Sequence, residues 1–229
     1  MRVLIDAVRG TTTGHEPDDG LLAELYAAPA LPWLRVNMVS TVDGAATGAD
    51  GVTGSINNPV DKRVFHLLRR TSDVIVVGSG TARAEGYRSA PVPLVVVSRR
   101  GGVPEQLRDA GPGQVLLATS AEAAGLHESR RQLGSDHVLV VGESKVDLVE
   151  LRRALVERGF QRLHCEGGPH LLADLLQAGV VDELCLTQVP LVVAGDHPRI
   201  IVGEDVARTL ELQVLLEESG TLLGRWFLR

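Results

Sequence analysis

Two kinds of segment take turns along the chain. Short aliphatic runs recur at Arg2–Val8, Leu34–Val42, Asp73–Val77, Leu94–Ser98, Gln114–Thr119, His137–Val141, Leu163–Glu166, Glu183–Val189, Leu210–Glu217 and Thr221–Leu228. Some are apolar at every position, as in Val74-Ile75-Val76-Val77 and Val138-Leu139-Val140-Val141. A strand covered on both faces carries this signature. Between the runs lie stretches of helical period. Asn57-Asn58-Pro59 predicts a helix start, with an asparagine cap and proline at the first helical position. Val60, Val64, Leu67 and Leu68 then form one stripe. Asp147 predicts a second cap, with Leu148, Leu151 and Leu155 inward and Gly159 as terminator; Pro169 opens a third helix that Gly179 closes. At the C-terminus, two apolar runs flank Ser219-Gly220, the signal of a β-hairpin. The pattern predicts an α/β fold with a mainly parallel sheet that finishes with antiparallel strands. No composition break divides the 229 residues, so one domain over residues 1–229 is expected. Arg9–Asp19, rich in threonine, glycine and acidic residues, predicts an exposed loop.

Composition adds constraints. Hydrophobic residues make up 44% and aromatic ones 3%, so aliphatic side chains must fill the core. The net charge of -6 argues against a nucleic-acid binder. No run is long enough to span a membrane, and the N-terminus lacks the apolar stretch of a signal peptide. Cys165 and Cys185 lie in apolar strands, where buried thiols in a reducing compartment are the expectation. These features place the protein in the cytoplasm. No metal-ligand spacing is present, and neither is a Walker loop, nucleophile elbow or zinc-deaminase signature.

Ligands of α/β sheets favour the carboxyl ends of strands, so the loops there are the candidates for chemistry. Thr41-Val42-Asp43-Gly44 leads on to Asp50-Gly51-Val52-Thr53. Asp-Gly pairs are ordinary turns, with Asp43 and Thr53 as substrate contacts the competing reading. Gly78-Ser79-Gly80-Thr81-Ala82-Arg83 departs from a dinucleotide fingerprint, because Arg83 stands at the third glycine. Its glycines still open backbone N–H groups to a phosphate. Ser98-Arg99-Arg100 suits a 2′-phosphate, with a solvated basic turn as the alternative. Glu166-Gly167-Gly168-Pro169-His170 joins a strand to a helix whose positive end favours a pyrophosphate.

Taken in this order, the loops resemble the reductase domain of the bifunctional riboflavin-biosynthesis deaminase–reductase. The most specific parts are Ser40-Thr41-Val42-Asp43-Gly44, Leu67-Leu68-Arg69, Asp73 through Thr81, Glu166-Gly167-Gly168-Pro169 and Val181-Asp182-Glu183-Leu184. The resemblance implies a dihydrofolate reductase-like fold: a central mixed sheet flanked by helices, with a C-terminal antiparallel hairpin. It also implies NADPH, a homodimer, and reduction of 5-amino-6-(5-phosphoribosylamino)uracil. Carried over by position, it puts Val39, Thr41, Gly78, Gly80, Thr81, Ser98, Arg99, Gly167, Gly168, Pro169, His170 and Leu171 at the cofactor. It puts Asn37, Asp43, Thr53, Arg69 and Arg88 at the substrate, and Glu166 and Glu85 at the reacting centre. Asn37 replaces the lysine common in the family, Glu85 replaces an aspartate, and Arg88 alone stands for the expected phosphate-gripping arginines. Reduction of another pterin- or pyrimidine-like ring, such as dihydrofolate, is the alternative activity. A non-catalytic NADPH-binding protein is the alternative of a different class.

Overall fold

The computed structural model describes residues 1–7, 10, 16–88 and 90–229. Its elements run β1 (Arg2–Asp6), α1 (Asp19–Leu25), β2 (Trp33–Thr41), α2 (Pro59–Arg70), β3 (Val74–Gly78), α3 (Ser79–Ala84), β4 (Leu94–Val97) and β5 (Val115–Thr119). They continue with α4 (Leu126–Leu133), β6 (Val138–Val140), α5 (Leu148–Glu157), β7 (Arg162–Cys165), α6 (Pro169–Gln177), β8 (Glu183–Val189), β9 (Leu210–Glu218) and β10 (Thr221–Leu228). All ten strands join one sheet in the order β1-β9-β10-β8-β2-β7-β3-β4-β5-β6. Pairing is parallel from β8 through β2 to β6 and antiparallel among β8, β10, β9 and β1. The expected mixed sheet with a closing hairpin is therefore what forms. Ser219 and Gly220, both at positive φ, make the two-residue hairpin turn.

The unbroken apolar runs have a direct cause. Along β3, Val74 and Val76 face the cluster built on α5 and α6, while Ile75 and Val77 face the opposite cluster with Ala82 of α3. β4 and β5 alternate in the same way, with Val95 and Leu116 to one side and Val96 and Leu117 to the other. Both faces of these strands are covered, so no position is left for a polar residue.

Helix starts follow their capping chemistry. Asn58 accepts hydrogen bonds from the N–H groups of Val60 and Asp61 at 3.0 Å each, and its amide donates to Thr221 Oγ1. Asp147 caps α5 through Val149 and Glu150. Val64, Leu67 and Leu68 of α2 are buried against β9 and β10. That leaves Asp61, Phe65 and Arg69, one turn apart, on a different face.

Two sequence expectations shift. The loop expected over Arg9–Asp19 falls mostly outside the described residues, and its last residues instead start α1, with Asp18 accepting from Leu21 N–H at 2.8 Å. The stretch after β3 is no open loop. Gly78 caps α3 directly, so Glu85 stands at the end of that helix.

A buried ionic cluster ties β2, β8 and β10 together. Glu183 is fully buried and accepts from Arg35 Nε at 2.6 Å, from Arg225 Nε at 3.0 Å and from Trp33 Nε1 at 2.7 Å. Further guanidinium donors reach the carbonyls of Leu25, Tyr26 and Ala27, at the end of α1 and just past it. Cys185 and Cys165 are both buried free thiols, and burial pushes the Cys165 thiol up to about 12.

Candidate active site

Strands β2, β3, β4 and β7 are parallel neighbours or near neighbours, and their carboxyl ends open into one cavity of ≈ 1650 Å³. Single-ligand pockets commonly hold about 300–1,000 Å³, so this one has room for two ligands side by side. β2 supplies Asn37 and Val39, β3 supplies Gly78, Ser98 follows β4, and Glu166 follows β7. The polar face of α2 adds Asp61, Phe65 and Arg69.

Glu166 is held from three sides. Arg69 donates Nε to Oε1 at 2.6 Å and Nη2 to Oε2 at 2.7 Å, a bidentate pair. The Tyr87 hydroxyl donates to Oε2. His164 Nε2 stands 3.4 Å from Oε1, too long for a well-formed hydrogen bond, and its Nδ1 has no partner. Burial alone would raise the Glu166 carboxyl, but the bonds from Arg69 and the neighbouring His164 outweigh it and hold it at about 2. Glu166 is thus ionised near neutral pH and cannot serve as an acid. Its side chain is 2% exposed and that of Arg69 17%, so the pair presents mainly its arginine to the cavity. The guanidinium is also stacked 4.3 Å from the centre of the Phe65 ring.

The charged rim differs. Arg83, Arg88, Arg99 and Arg100 line the cavity, and none has an ion-pair partner among the described residues. Ser98 is buried, and its Oγ accepts from Gly102 N–H at 3.1 Å, which leaves the hydroxyl proton free to donate. The first turn of α6, from Pro169 through His170 and Leu171, lies on the same wall.

Most residues singled out in the sequence come together here: Asn37, Val39, Thr53, Arg69, Gly78, Gly80, Thr81, Glu85, Arg88, Ser98, Arg99, Glu166, Gly168, Pro169, His170 and Leu171. Three do not. Thr41 is fully buried, with its hydroxyl bonded to Asp43. Asp43 also accepts from the N–H groups of Val193 and Ala194, tying the turn at Gly44 to the 190–194 segment. Asp43 thus follows the turn reading. Gly167, at φ +82°, packs against Met38, where a Cβ would sit 2.9 Å from the sulfur. Glu85 lines the cavity, yet one carboxylate oxygen accepts from Thr53 N–H at 2.8 Å and fastens that loop to α3.

Sequence reasoning missed Asn57, Asp61, Phe65 and Tyr87. The first three sit where a helix start and its polar face look like solvent-exposed surface. Among the described residues, no group of three or more His, Cys, Asp or Glu side chains forms a metal site, and no helix is long and apolar enough to cross a membrane.

Residues 32–223 match the RibD C-terminal domain family. The chain belongs to that family. The 2,5-diamino-6-ribosylamino-4(3H)-pyrimidinone 5′-phosphate reductase of Methanothermobacter thermautotrophicus is 32% identical over 206 residues, covering 83% of this chain and 94% of that protein. Riboflavin biosynthesis protein RibD of Escherichia coli is 26% identical over 188 residues, 72% of this chain and 50% of that one. In fold, a pyrimidine reductase-like protein of Corynebacterium diphtheriae superposes with a TM-score of 0.78 at 23% identity, over 91% of this chain and 98% of its own. Membership of the family makes this RibD-type chain an oxidoreductase of riboflavin biosynthesis.

Proposed function

We propose that this chain reduces a phosphoribosylaminopyrimidine with NADPH as hydride source, as the homodimer that the family resemblance implies. The observation that carries the reading is the cavity rim. A protein of net charge -6 gathers Arg83, Arg88, Arg99 and Arg100 around one cavity without carboxylate partners, which suits two phosphorylated ligands. Related enzymes are named for the 2,5-diamino form of the substrate. The uracil form is the one that the sequence resemblance implied.

The residues fit a phosphorylated dinucleotide. Ser98, Arg99 and Arg100 offer a hydroxyl and two cations for a 2′-phosphate, and the N–H groups at the start of α6 suit a pyrophosphate. Gly80 faces open space, with no atom within 4 Å of where its Cβ would lie. When bound, NADPH supplies the hydride that, with one proton, converts the ribosyl ring to a ribityl chain. Val39 and Leu171 form apolar wall that excludes water, and Arg69, locked by Glu166 and Phe65, fixes one cation beside the reacting ligands. The chain's main contribution is then orientation in a preorganised field.

The test is NADPH oxidation with the uracil form, the 2,5-diamino form and dihydrofolate, each against a blank. Oxidation with either phosphoribosyl compound and not with dihydrofolate is expected. Oxidation with dihydrofolate alone, or with none of the three, would overturn the proposal.

Two substitutions probe the cofactor end. Replacing Ser98 and Arg99 together by alanine is expected to weaken NADPH at least tenfold more than NADH, since charge-assisted bonds contribute about 1.5–3 kcal/mol each. Equal loss for both cofactors counts against a 2′-phosphate at this turn. Gly80→Val is expected to keep the unfolding free energy within about 0.5 kcal/mol while weakening NADPH more than tenfold. Normal binding by a folded Gly80→Val protein would move the cofactor elsewhere. Gly168 is a poorer probe, because its Cβ would meet Thr81 Oγ1 at 2.3 Å and disturb the protein itself.

A further inference from the structure

Asp61 stands apart from the other carboxylates of the cavity. It is 3% exposed, lines the cavity and makes no ion pair among the described residues. Glu166, by comparison, has Arg69, and Glu85 has the Thr53 N–H. Burial raises the Asp61 carboxyl, and only the Thr187 hydroxyl and Lys62 act against that. Burying a carboxylate without a charged partner or a full set of donors is costly, so the site is one that a ligand's donors would complete.

Its surroundings show what those donors must look like. Thr187 pairs with Val39 across β2 and β8, and Asn37 pairs with Cys185 two residues earlier on the same face. Asp61 therefore lies over the part of β2 that carries Asn37 and Val39, both in the cavity wall. Asn57, which precedes the same helix and also lines the cavity, has its Oδ1 buried without a partner. The Asp61 carboxylate and the Asn57 amide oxygen are acceptors in this wall, beside the Asn37 amide, which both donates and accepts. A carboxylate matches a ring edge that offers two adjacent N–H donors. The 2-amino group and N3–H of a 2-aminopyrimidin-4-one are such an edge. A uracil edge replaces the 2-amino group with a carbonyl oxygen, which would face the carboxylate acceptor to acceptor.

We propose that Asp61 is a specificity residue that reads the 2-amino, N3–H edge of the pyrimidine and so sets the preference for the 2,5-diamino compound over the uracil form. The inference rests on the phosphoribosylaminopyrimidine reading above.

The test compares kcat and KM for the 2,5-diamino and uracil forms in the wild type and in Asp61→Asn, with calorimetric binding of both compounds as a second readout. Asparagine offers one donor and one acceptor, which matches the uracil edge. The wild type is expected to favour the diamino form by about 10²-fold or more in kcat/KM, the scale set by leaving a buried polar group unpaired. In Asp61→Asn this ratio is expected to fall by about 10²-fold, mainly through KM, with the same shift in calorimetric affinity. Thermal unfolding of Asp61→Asn and Asp61→Ala reports whether the fold survives, and Asp61→Ala should lose preference for the diamino form without gaining one for uracil. A wild type that favours uracil, or a ratio unchanged by Asp61→Asn, overturns the role of Asp61 while leaving the reductase reading intact. A wild type that reduces neither compound overturns both.

Discussion

Glu166→Gln is expected to lower turnover about 10²-fold while NADPH affinity stays within a few-fold, the scale of one lost preorganised electrostatic group. The expectation follows from what the carboxylate holds. Both of its oxygens take a guanidinium nitrogen of Arg69, and Oε2 also takes the Tyr87 hydroxyl. Glutamine keeps one acceptor and turns the other end into a donor that faces donors. Arg69 then loses its bidentate clamp and one charge of its partner, while its stacking on Phe65 remains. The cation moves within a cavity where a shift of about 1 Å is worth roughly 10²-fold in rate. Glu166 is thus expected to act as a positioning residue for Arg69. Two readouts separate this from plain destabilisation: the loss should fall on kcat more than on cofactor affinity, and Arg69→Lys should show a similar loss because a lysine cannot bridge both oxygens. Full turnover in Glu166→Gln would remove Glu166 from the chemistry.

What could be read in advance follows from which side of each element carries the information. Strands β3, β4 and β5 are covered on both faces, so their apolar runs were plain in the sequence. α2 and α5 begin with side chains that cap in the expected way, and their apolar stripes face the core. α3 escaped notice because six residues with only Ala82 buried carry no stripe, and α4 because only Ser129 is buried along it. The site divides along the same line. Residues at strand ends, such as Val39, Ser98 and Glu166, were legible because that position is where α/β sheets bind. Asp61 and Phe65 were not, since a helix face that lines a cavity has the polar pattern of one that faces water. The link between Arg69 and Glu166 is 97 residues long and exists only in the fold. Thr41 and Asp43 pin a loop in this fold, and in sequence such a turn looks like one that holds a ligand.

Glu183→Gln is expected to cost about 3–5 kcal/mol of stability, the penalty for breaking a buried ion pair from one side. Glu183 is fully buried, and the side chains of Arg35 and Arg225 that share it are 8% and 3% exposed. Removing its charge leaves two guanidiniums in the core with a neutral amide, backbone carbonyls, the Cys185 thiol and the Tyr26 and Phe227 rings around them, and no anion. Against a total of about 5–15 kcal/mol for a domain, this is a fifth of the stability or more. The denaturant midpoint at neutral pH should drop accordingly, and an unchanged midpoint would show that the cluster is not stabilising. Acid gives an independent check. Burial would push the Glu183 carboxyl up, but Arg35 and Arg225 hold it at about 2 in the folded chain, against 4.5 ordinarily. A carboxyl lowered on folding adds stability that is complete above its unfolded value and fades as pH falls towards the folded one. Glu166 behaves alike, also at about 2. The wild-type midpoint should therefore stay level from pH 7 to about 5 and fall between about 4.5 and 2. In Glu183→Gln that fall should be shallower, because one of the two most strongly depressed carboxyls is gone, whereas an equally steep fall in both proteins would assign the acid sensitivity to other groups.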